Sequence, residues 1–239
     1  MDSDEITSRL SSWQAPFYWE NLGGYSHETH LIQGRKIHFV VERCREGHEH
    51  ACTVDDVATM LEFVSGADLQ GLQLFVFRQP KHKEELLRGN WGRMAYDTTI
   101  GRPQDGGPFR GSAVFLEAIR TPYRFWLNAS LGPLGSAELA RLREDGHSIT
   151  RRGSRYLIEC GLESVRNTQL YRTVLHEIGH WVDYLEKVER PGKSNTEYFN
   201  RPSVERERYA HAYADKLGAK LRAAGLIPFD RIVTACPEG

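Results

Sequence analysis

The sequence has little of what defines several large classes of protein. Its 239 residues include only four cysteines, too few and too scattered for a disulfide scaffold, so we expect mostly reduced thiols. Neither sign of charge dominates, with 31 basic against 32 acidic residues, which argues against nucleic acid or an anionic membrane as the main partner. No apolar run approaches the roughly 20 residues that a membrane-spanning helix needs.

A secretory signal is also missing, because the N-terminal stretch MDSDEITSRLSSW is acidic and polar. We therefore expect a soluble protein that is cytoplasmic, already processed, or exported by a non-classical route. The chain is long enough to bury a core without the help of disulfide bonds. No linker near residue 100 is long or polar enough to require a division into two domains. A single domain over 1–239 is predicted, with an α/β part over about 1–100 and a core over about 150–239.

Hydrophobic periodicity predicts strands mixed with helices through the first two-thirds of the chain. Strands are expected at 34–43, 71–80, 90–99, 111–119 and 153–160, with a loop at 100–111. Short helices are expected at 3–12 and 81–89, and longer ones at 53–64 and within 132–146, where Glu138 and Gly146 lie near the ends of the helix. Thr53 and Ser136 are the expected N-caps of the two longer helices.

The last third of the chain is predicted to be helical. One long helix spans about 165–189, up to the turn residues RPGKSN, and a second runs from Ser203 to about Ala224. Strands and helices followed by two helices predict the α+β class. The first helix carries an apolar stripe that we expect to be buried: Tyr171, Val174, Leu175, Ile178, Trp181, Val182 and Leu185.

The stretch YRTVLHEIGHWVDYLEK places His176 and His180 four residues apart on this helix. Four residues advance about 400° on an α-helix, so both imidazoles lie on one face and can bind the same zinc ion. Glu177 lies about 100° round the helix, where it can reach a water held by the ion and act as general base. The H-E-x-x-H pattern therefore predicts a hydrolytic site with one zinc ion per chain.

The same pattern also arises by chance when an amphipathic helix exposes two histidines and a glutamate. Two features favour the zinc interpretation: the motif lies inside a strongly periodic apolar helix, and Gly179 puts a small residue between the histidines. A catalytic zinc site usually has three protein ligands and an open position for water. The sequence must therefore supply a third ligand.

The same helix is a poor source of that ligand. Glu186 would stand about 9 Å further along the axis than His180, at about 1.5 Å per residue, and cannot reach the ion. Asp183 suits a different role, as an acceptor that orients a ligating imidazole. A plain surface charge is the alternative for Asp183.

The following helix offers two glutamates on nearly opposite faces. Glu207 shares a side with the small residues Ala210 and Ala214, whereas Glu205 lies about 200° away. If the small-residue face packs on the zinc helix, Glu207 points inward, and a buried carboxylate needs a partner such as a metal. This orientation favours Glu207 as the third ligand, with a charge at the rim as the alternative.

Two segments resemble a known family. HEIGHWVDY is similar to the active-site helix of the anthrax lethal factor catalytic domain and of clostridial Pro-Pro endopeptidases, which are gluzincin metallopeptidases. ERYAHAYA is similar to their glutamate helix, and the resemblance covers about 171–217. It implies a zincin-like fold in which a mixed sheet precedes the H-E-x-x-H helix and the glutamate helix. It also implies His176, His180 and Glu207 as zinc ligands and Glu177 as the base.

The resemblance further implies a tyrosine that donates to the developing oxyanion. In those relatives it stands seven residues before the ligand glutamate, but seven before Glu207 is Asn200. Tyr198 lies nine before Glu207 and seven before Glu205, so a longer loop, Glu205 as ligand, or a donor from elsewhere all stay open. Tyr198 is kept as the candidate. His211 could line the site, donate to the oxyanion or face solvent.

A second segment, CREGHEHAC, also has the residue types of a metal site. Cys44, His48, His50 and Cys52 suit structural zinc, but a nine-residue loop would have to close round the ion unaided. A polar connection between a strand and a helix is the simpler interpretation.

The combined expectation is a zinc-dependent endopeptidase that acts on a peptide or protein substrate. Zinc peptidases commonly bind substrate as an added strand on a sheet edge. Residues 155–160 could form that edge, or an interior strand. The alternatives are a zinc hydrolase of small amides and an inactive zincin-fold binding module. The intact Glu177 argues against the last, because a purely structural site needs no base.

Overall fold

The computed structural model describes residues 20–87, 91–101 and 107–233. The helix predicted at 3–12, Cys236 and part of the loop predicted at 100–111 lie outside these residues. The described elements, in chain order, are β1 (Tyr25–Ile32), β2 (Arg35–Glu42), β3 (His48–Glu49), α1 (Val54–Glu62), β4 (Leu72–Arg78), α2 (His82–Leu87), β5 (Gly92–Ile100), β6 (Phe109–Glu117), β7 (Ile119–Arg120), β8 (Tyr123–Asn128), α3 (Pro133–Glu144), β9 (Ser148–Arg152), β10 (Arg155–Cys160), α4 (Leu162–Thr168), α5 (Val174–Tyr184), α6 (Asn195–Asn200) and α7 (Ser203–Ala223).

The largest sheet has five strands in the order β1-β2-β4-β6-β5. Its three central strands, β2, β4 and β6, run parallel, whereas β1 and β5 pair antiparallel at the two edges. A second, antiparallel sheet has the order β8-β10-β9, and β3 pairs with β7. A mixed sheet together with helices confirms the α+β class.

One nearly unbroken helical segment covers a face of the five-stranded sheet. It consists of α4, a π-helical turn (Gln169–Thr173), α5 and a second π-helical turn (Leu185–Glu189). All seven residues of the predicted apolar stripe are buried, and they pack in one core with side chains of β4 and β6 such as Phe75 and Val114. The long helix predicted at 165–189 is thus confirmed, apart from the π turns within it.

The first of the two predicted helix caps is confirmed and the second is wrong. Thr53 caps α1, since its hydroxyl accepts from the Asp56 N–H while the Asp56 carboxylate accepts from the Thr53 N–H. Ser136 lies inside α3, which begins at Pro133 with Gly132 as N-cap. Proline is preorganised for the first helical position, so it starts the helix three residues before the serine.

Strand β10 is an interior strand. It pairs with β8 on one side and with β9 on the other, so residues 155–160 have no free edge to offer a substrate. The strand at the edge of the large sheet beside α5 is β5, which pairs only with β6 among the described strands. Within the described ranges, none of the helices combines the length and apolar character that crossing a membrane requires.

Candidate metal centre

Helix α5 places His176, Glu177 and His180 within less than two turns. The two imidazole rings stand perpendicular, with ring centroids 4.7 Å apart. The opposite side of the helix is anchored in the core by the apolar stripe. The histidine face is therefore held by residues that cannot rotate without exposing apolar surface.

Helix α7 crosses α5 at a point where neither helix has a bulky side chain. A Cβ added to Gly179 would lie 2.9 Å from both Cα and O of Ala210 and 3.1 Å from Cβ of Tyr213. Such contacts are too short for a real methyl group, so glycine at this position permits the close approach of the two backbones. Glu207 lies three residues before Ala210, and the crossing brings its side chain over the two histidines.

The Glu207 carboxylate lies between the two imidazoles. One of its oxygens is 3.3 Å from Nε2 of His176, and the other is 3.5 Å from Nε2 of His180. Ligands held at about 2.0–2.1 Å from a tetrahedral ion stand about 3.3 Å apart, so this spacing suits a shared ion. The two imidazoles hold the pKa of Glu207 well below its usual range, so this ligand atom is anionic and ready to bind.

His211 also faces this group. Its ring centroid is 4.4 Å from that of His176, and ligand atoms of His176, Glu207 and His211 lie within 4.8 Å of one another. The structure thus offers two candidate ligand sets that share His176 and Glu207. The set with His211 has all of its ligand atoms within this distance, whereas the set with His180 does not form such a group. The tighter contacts are those of Glu207 with His176 and His180. Burial lowers the pKa of His211, and the nearby His176 lowers it further.

Glu177 is almost fully buried, and its carboxylate accepts a hydrogen bond from the backbone N–H of Met94 on β5. Burial raises the pKa of Glu177, and the carboxylate of Glu207 raises it further, while the two imidazoles oppose the shift. A carboxylate whose proton affinity is raised in this way suits transfer of a proton to and from a reacting group. Helix and edge strand together fix its position.

The other acidic candidates lie away from the histidines. Glu205 pairs with Arg201 at 3.2 Å. Asp183 is fully buried, where it pairs with Lys187 and, at 3.2 Å, with Arg201. It therefore neither orients an imidazole nor forms part of the surface charge. Glu186 accepts a hydrogen bond from Tyr209 at 2.9 Å.

The second nitrogen of each histidine has no partner. Nδ1 of both His176 and His180 is buried without a hydrogen bond among the described residues. Many zinc-binding histidines donate this N–H to a carboxylate or carbonyl, but the described residues provide no such acceptor for His176 or His180. Nε2 of each ring points at Glu207, so the donor set fits a zinc ion even though this acceptor is missing.

Tyr198 is not brought to the histidines. Its side chain is buried, its hydroxyl lies 3.4 Å from that of Tyr96, and Asp183 accepts a hydrogen bond from it. The cavity beside the histidines is instead lined by Tyr96 of β5 and Arg206 of α7. These two residues were not among the candidates, although the alternation of strand 90–99 places Tyr96 on the same face as Met94.

Two cavities meet at the histidine motif. One, of about 320 Å³, is lined by Trp91, Arg141, Arg172, His211 and Arg222 among others. The other, of about 400 Å³, is lined by Met94, Tyr96, His180, Arg206 and Glu207 among others. Gly92, His176 and Glu177 line both. The site therefore opens in two directions along strand β5.

The four candidates of the CREGHEHAC segment point to separate partners. His48 pairs with Glu85 at 2.8 Å, and Nε2 of His50 lies 2.8 Å from the backbone oxygen of Glu42. Cys52 is fully buried beside α4. Burial raises the pKa of Cys44 to about 11, so its thiol stays protonated and is a poor ligand. In the described parts of the chain, none of the four belongs to a metal-binding group.

Comparison with known proteins gives no further assignment. No family model, no curated protein and no solved structure matches the chain. The chemistry of the site therefore rests on the geometry described above.

Proposed function

We propose that the protein is a zinc-dependent endopeptidase with a zincin-like arrangement of the gluzincin type. The observation that carries the proposal is the convergence of His176, His180 and Glu207 from two crossing helices. Beside them lies the buried carboxylate of Glu177. Three nitrogen and oxygen ligands with one open position are the usual composition of a catalytic zinc site.

The residues of the chain divide the reaction between them. His176, His180 and Glu207 would hold the ion, which polarises the attacking water and the substrate carbonyl. Glu177 accepts the proton that the water loses as it attacks the carbonyl carbon. Glu177 then returns this proton to the nitrogen of the leaving amine, so that one carboxylate serves as base and acid in turn.

Strand β5 is the edge on which a substrate would lie. Its outer side is free of strand partners among the described residues, and its Met94 N–H contacts the catalytic carboxylate. An extended peptide added to this edge would place a carbonyl group next to Glu177 by main-chain hydrogen bonds. This replaces residues 155–160 as the proposed substrate strand.

The two cavities favour an endopeptidase over an amidase that acts on small molecules. Both contain His176 and Glu177, and one reaches Trp91 while the other reaches Tyr96 on β5, which suits a chain that continues in both directions from the cleaved bond. An inactive binding module is disfavoured because Glu177 is buried without a salt-bridge partner in the described chain. Burying a carboxylate in this way costs free energy, and no salt bridge compensates for it in the described chain.

Replacing Glu177 by glutamine tests the proposal. Glu177→Gln keeps the size of the side chain but removes the base, so zinc content should persist while hydrolysis of a peptide library falls by about 10²–10⁴. Fragment masses after digestion by zinc-loaded protein give the rate and the cleavage sites. Glu163→Gln, an exposed change in α4, is the matched control and should leave hydrolysis unchanged. Full activity of Glu177→Gln would exclude Glu177 as the base.

A further inference from the structure

The edge strand carries a bulge at the position of Tyr96. The ladder between β5 and β6 is regular up to the pair Ala95 and Ala113, then resumes at Thr98 and Gly111. Tyr96 and Asp97 of β5 therefore stand opposite Ser112 of β6 alone, which is the signature of a β-bulge. Bulges at sheet edges change the direction of side chains and are enriched next to active sites.

Because of the bulge, even-numbered residues before and after it point to opposite faces of the sheet. Met94 and Tyr96 pack towards the helices, whereas Ala95 and Ile100 belong to the core on the opposite face of the sheet. Without an extra residue, strict alternation would turn Ile100 to the helix side along with Tyr96. The bulge thus keeps Tyr96 in the cavity beside His176, Glu177 and His180.

Arg206 enters the same cavity from α7. Its guanidinium lies 5.7 Å from the ring centroids of both Tyr198 and Phe199, which hold it by cation–π contact. Its Nε is buried without a hydrogen-bond partner. Among the described residues no carboxylate forms an ion pair with it, so its donors are oriented and available.

The charges of Arg206 and Glu177 both act on the hydroxyl of Tyr96. The guanidinium lowers the pKa of Tyr96 and the carboxylate raises it, while burial, the largest cause, leaves the pKa raised to about 12. The hydroxyl therefore keeps its proton at neutral pH and remains a donor. Its hydrogen bond within the described chain is the weak one to Tyr198 at 3.4 Å, so the hydroxyl can turn towards a substrate.

We propose that Tyr96 and Arg206 donate hydrogen bonds to the oxyanion that develops on the substrate carbonyl. This rests on the proposed peptidase function and assigns to β5 and α7 the donor role that the family resemblance gives to a tyrosine such as Tyr198. Preorganised donors of this kind act most strongly in a site from which water is partly excluded.

The step balances within the residues named. The water oxygen forms a bond to the carbonyl carbon, and the electron pair of the C=O π bond moves to the carbonyl oxygen. Glu177 takes the proton of the water. When the C=O bond re-forms, the C–N bond breaks and the nitrogen takes the proton from Glu177. Tyr96 and Arg206 keep their own protons throughout. They stabilise the negative charge on the oxygen by donating hydrogen bonds to it.

Five variants test the assignment, each measured with zinc loaded and with zinc content checked. Tyr96→Phe and Arg206→Ala should each lower kcat for the cleaved library peptides by about 10²–10³ with little change in KM. Arg208→Ala is the matched control, because Arg208 is exposed. Tyr198→Phe tests the tyrosine that the family resemblance implies, because it removes the hydroxyl that contacts Tyr96 and keeps the ring that contacts Arg206. Arg206→Lys, which keeps the charge, tests whether the fork geometry of arginine is required.

A second readout does not depend on turnover. A phosphinic peptide built on the best-cleaved library sequence mimics the tetrahedral oxyanion, and calorimetry should show about 10²-fold weaker binding to Tyr96→Phe and Arg206→Ala than to the wild type. Wild-type kcat in Tyr96→Phe, or an equal loss in Tyr198→Phe, overturns the proposal. So does a loss in Arg206→Ala confined to KM for acidic peptides. Absence of cleavage and of analogue binding in the zinc-loaded wild type would instead count against the peptidase function itself.

Discussion

Two segments of this chain have similar composition and different structures. Residues 44–52 and 174–184 each contain two histidines and at least one glutamate, and the first adds two cysteines. In the first segment His48 pairs with Glu85, His50 lies against a backbone oxygen, and Cys52 is sealed in the core. In the second, two imidazoles converge on the carboxylate of Glu207.

The comparison shows that residue type alone does not make side chains converge on one point. The backbone that carries the side chains and the neighbouring element that faces them decide it. The second segment is a helix whose opposite face is locked in the core, so its spacing fixes the directions of the side chains. A second helix then supplies the third group at a crossing that glycine makes close. The first segment is a connection between β2 and α1, and its two histidines contact different partners, the Glu85 carboxylate and the backbone oxygen of Glu42.

The largest expected effect separates Glu207 from Glu205. Wild-type protein should hold about one zinc ion per chain after dialysis against a weak chelator, and Glu207→Ala should reduce this to near zero and abolish hydrolysis. Glu205→Ala removes only an ion pair with Arg201, so metal content should stay at one. If Glu205→Ala loses the metal and Glu207→Ala keeps it, α7 is rotated from the orientation described here.

The helix crossing gives the next effect in size. Gly179→Ala places a methyl group against the backbone of Ala210, and overpacking of this kind costs about 1–3 kcal/mol. Thermal unfolding should show a lowered Tm, and zinc affinity should fall because Glu207 is pushed away from the histidines. Gly24→Ala is the matched control, since its Cβ would meet nothing within 4 Å. Equal stability of the two variants would contradict the close crossing.

His211 gives a smaller effect that distinguishes the two ligand sets. His211→Ala should leave zinc at about one ion per chain and reduce its affinity only a few-fold, because Glu207 makes its tighter contacts with His176 and His180. Competition with a coloured chelator measures the affinity. A loss of metal as complete as that in His180→Ala would make His211 a ligand and close the position needed for water.

The smallest effect is expected in the CREGHEHAC segment. The double variant Cys44→Ser with His48→Gln removes two of its four candidate ligands and should leave zinc content and hydrolysis at the wild-type level. A stability change of about 1 kcal/mol is expected from the loss of the His48–Glu85 contact. A wild-type stoichiometry near two that drops to one in this variant would restore the segment as a second metal site.

The parts of the fold that follow from local periodicity could be predicted from sequence. The stripe from Tyr171 to Leu185 repeats with the helical period, and the Thr53 cap has its reciprocal partner three residues away. Strand β1 was missed because its sequence YSHETHLI is largely polar and exposed at a sheet edge. The interior position of β10 could not be predicted, because it depends on pairing with the unforeseen strands β8 and β9.

The candidate site also has residues whose positions could be predicted from sequence and residues whose positions could not. The helical positions of His176, Glu177 and His180, and the side of α7 that carries Glu207, follow from the helical period. The surroundings of Asp183 do not, because its partner Arg201 comes from a loop after the helix. The alternation of the strand places Tyr96 on the same face as Met94, but the helix crossing and the aromatic rings that hold Arg206 beside it are not contained in any local pattern.

With the proposed metal site at the crossing of α5 and α7, metal binding and helix docking become one linked equilibrium. An ion held by ligands from both helices is a cross-link, so its binding free energy adds to the free energy that keeps α7 in place. By reciprocity, any contact that holds α7 against the rest of the chain also strengthens the metal site. We therefore expect the hydrogen bond from Tyr213 to Asp68, 2.9 Å long and outside the cavities, to raise the affinity of the proposed metal site from a distance.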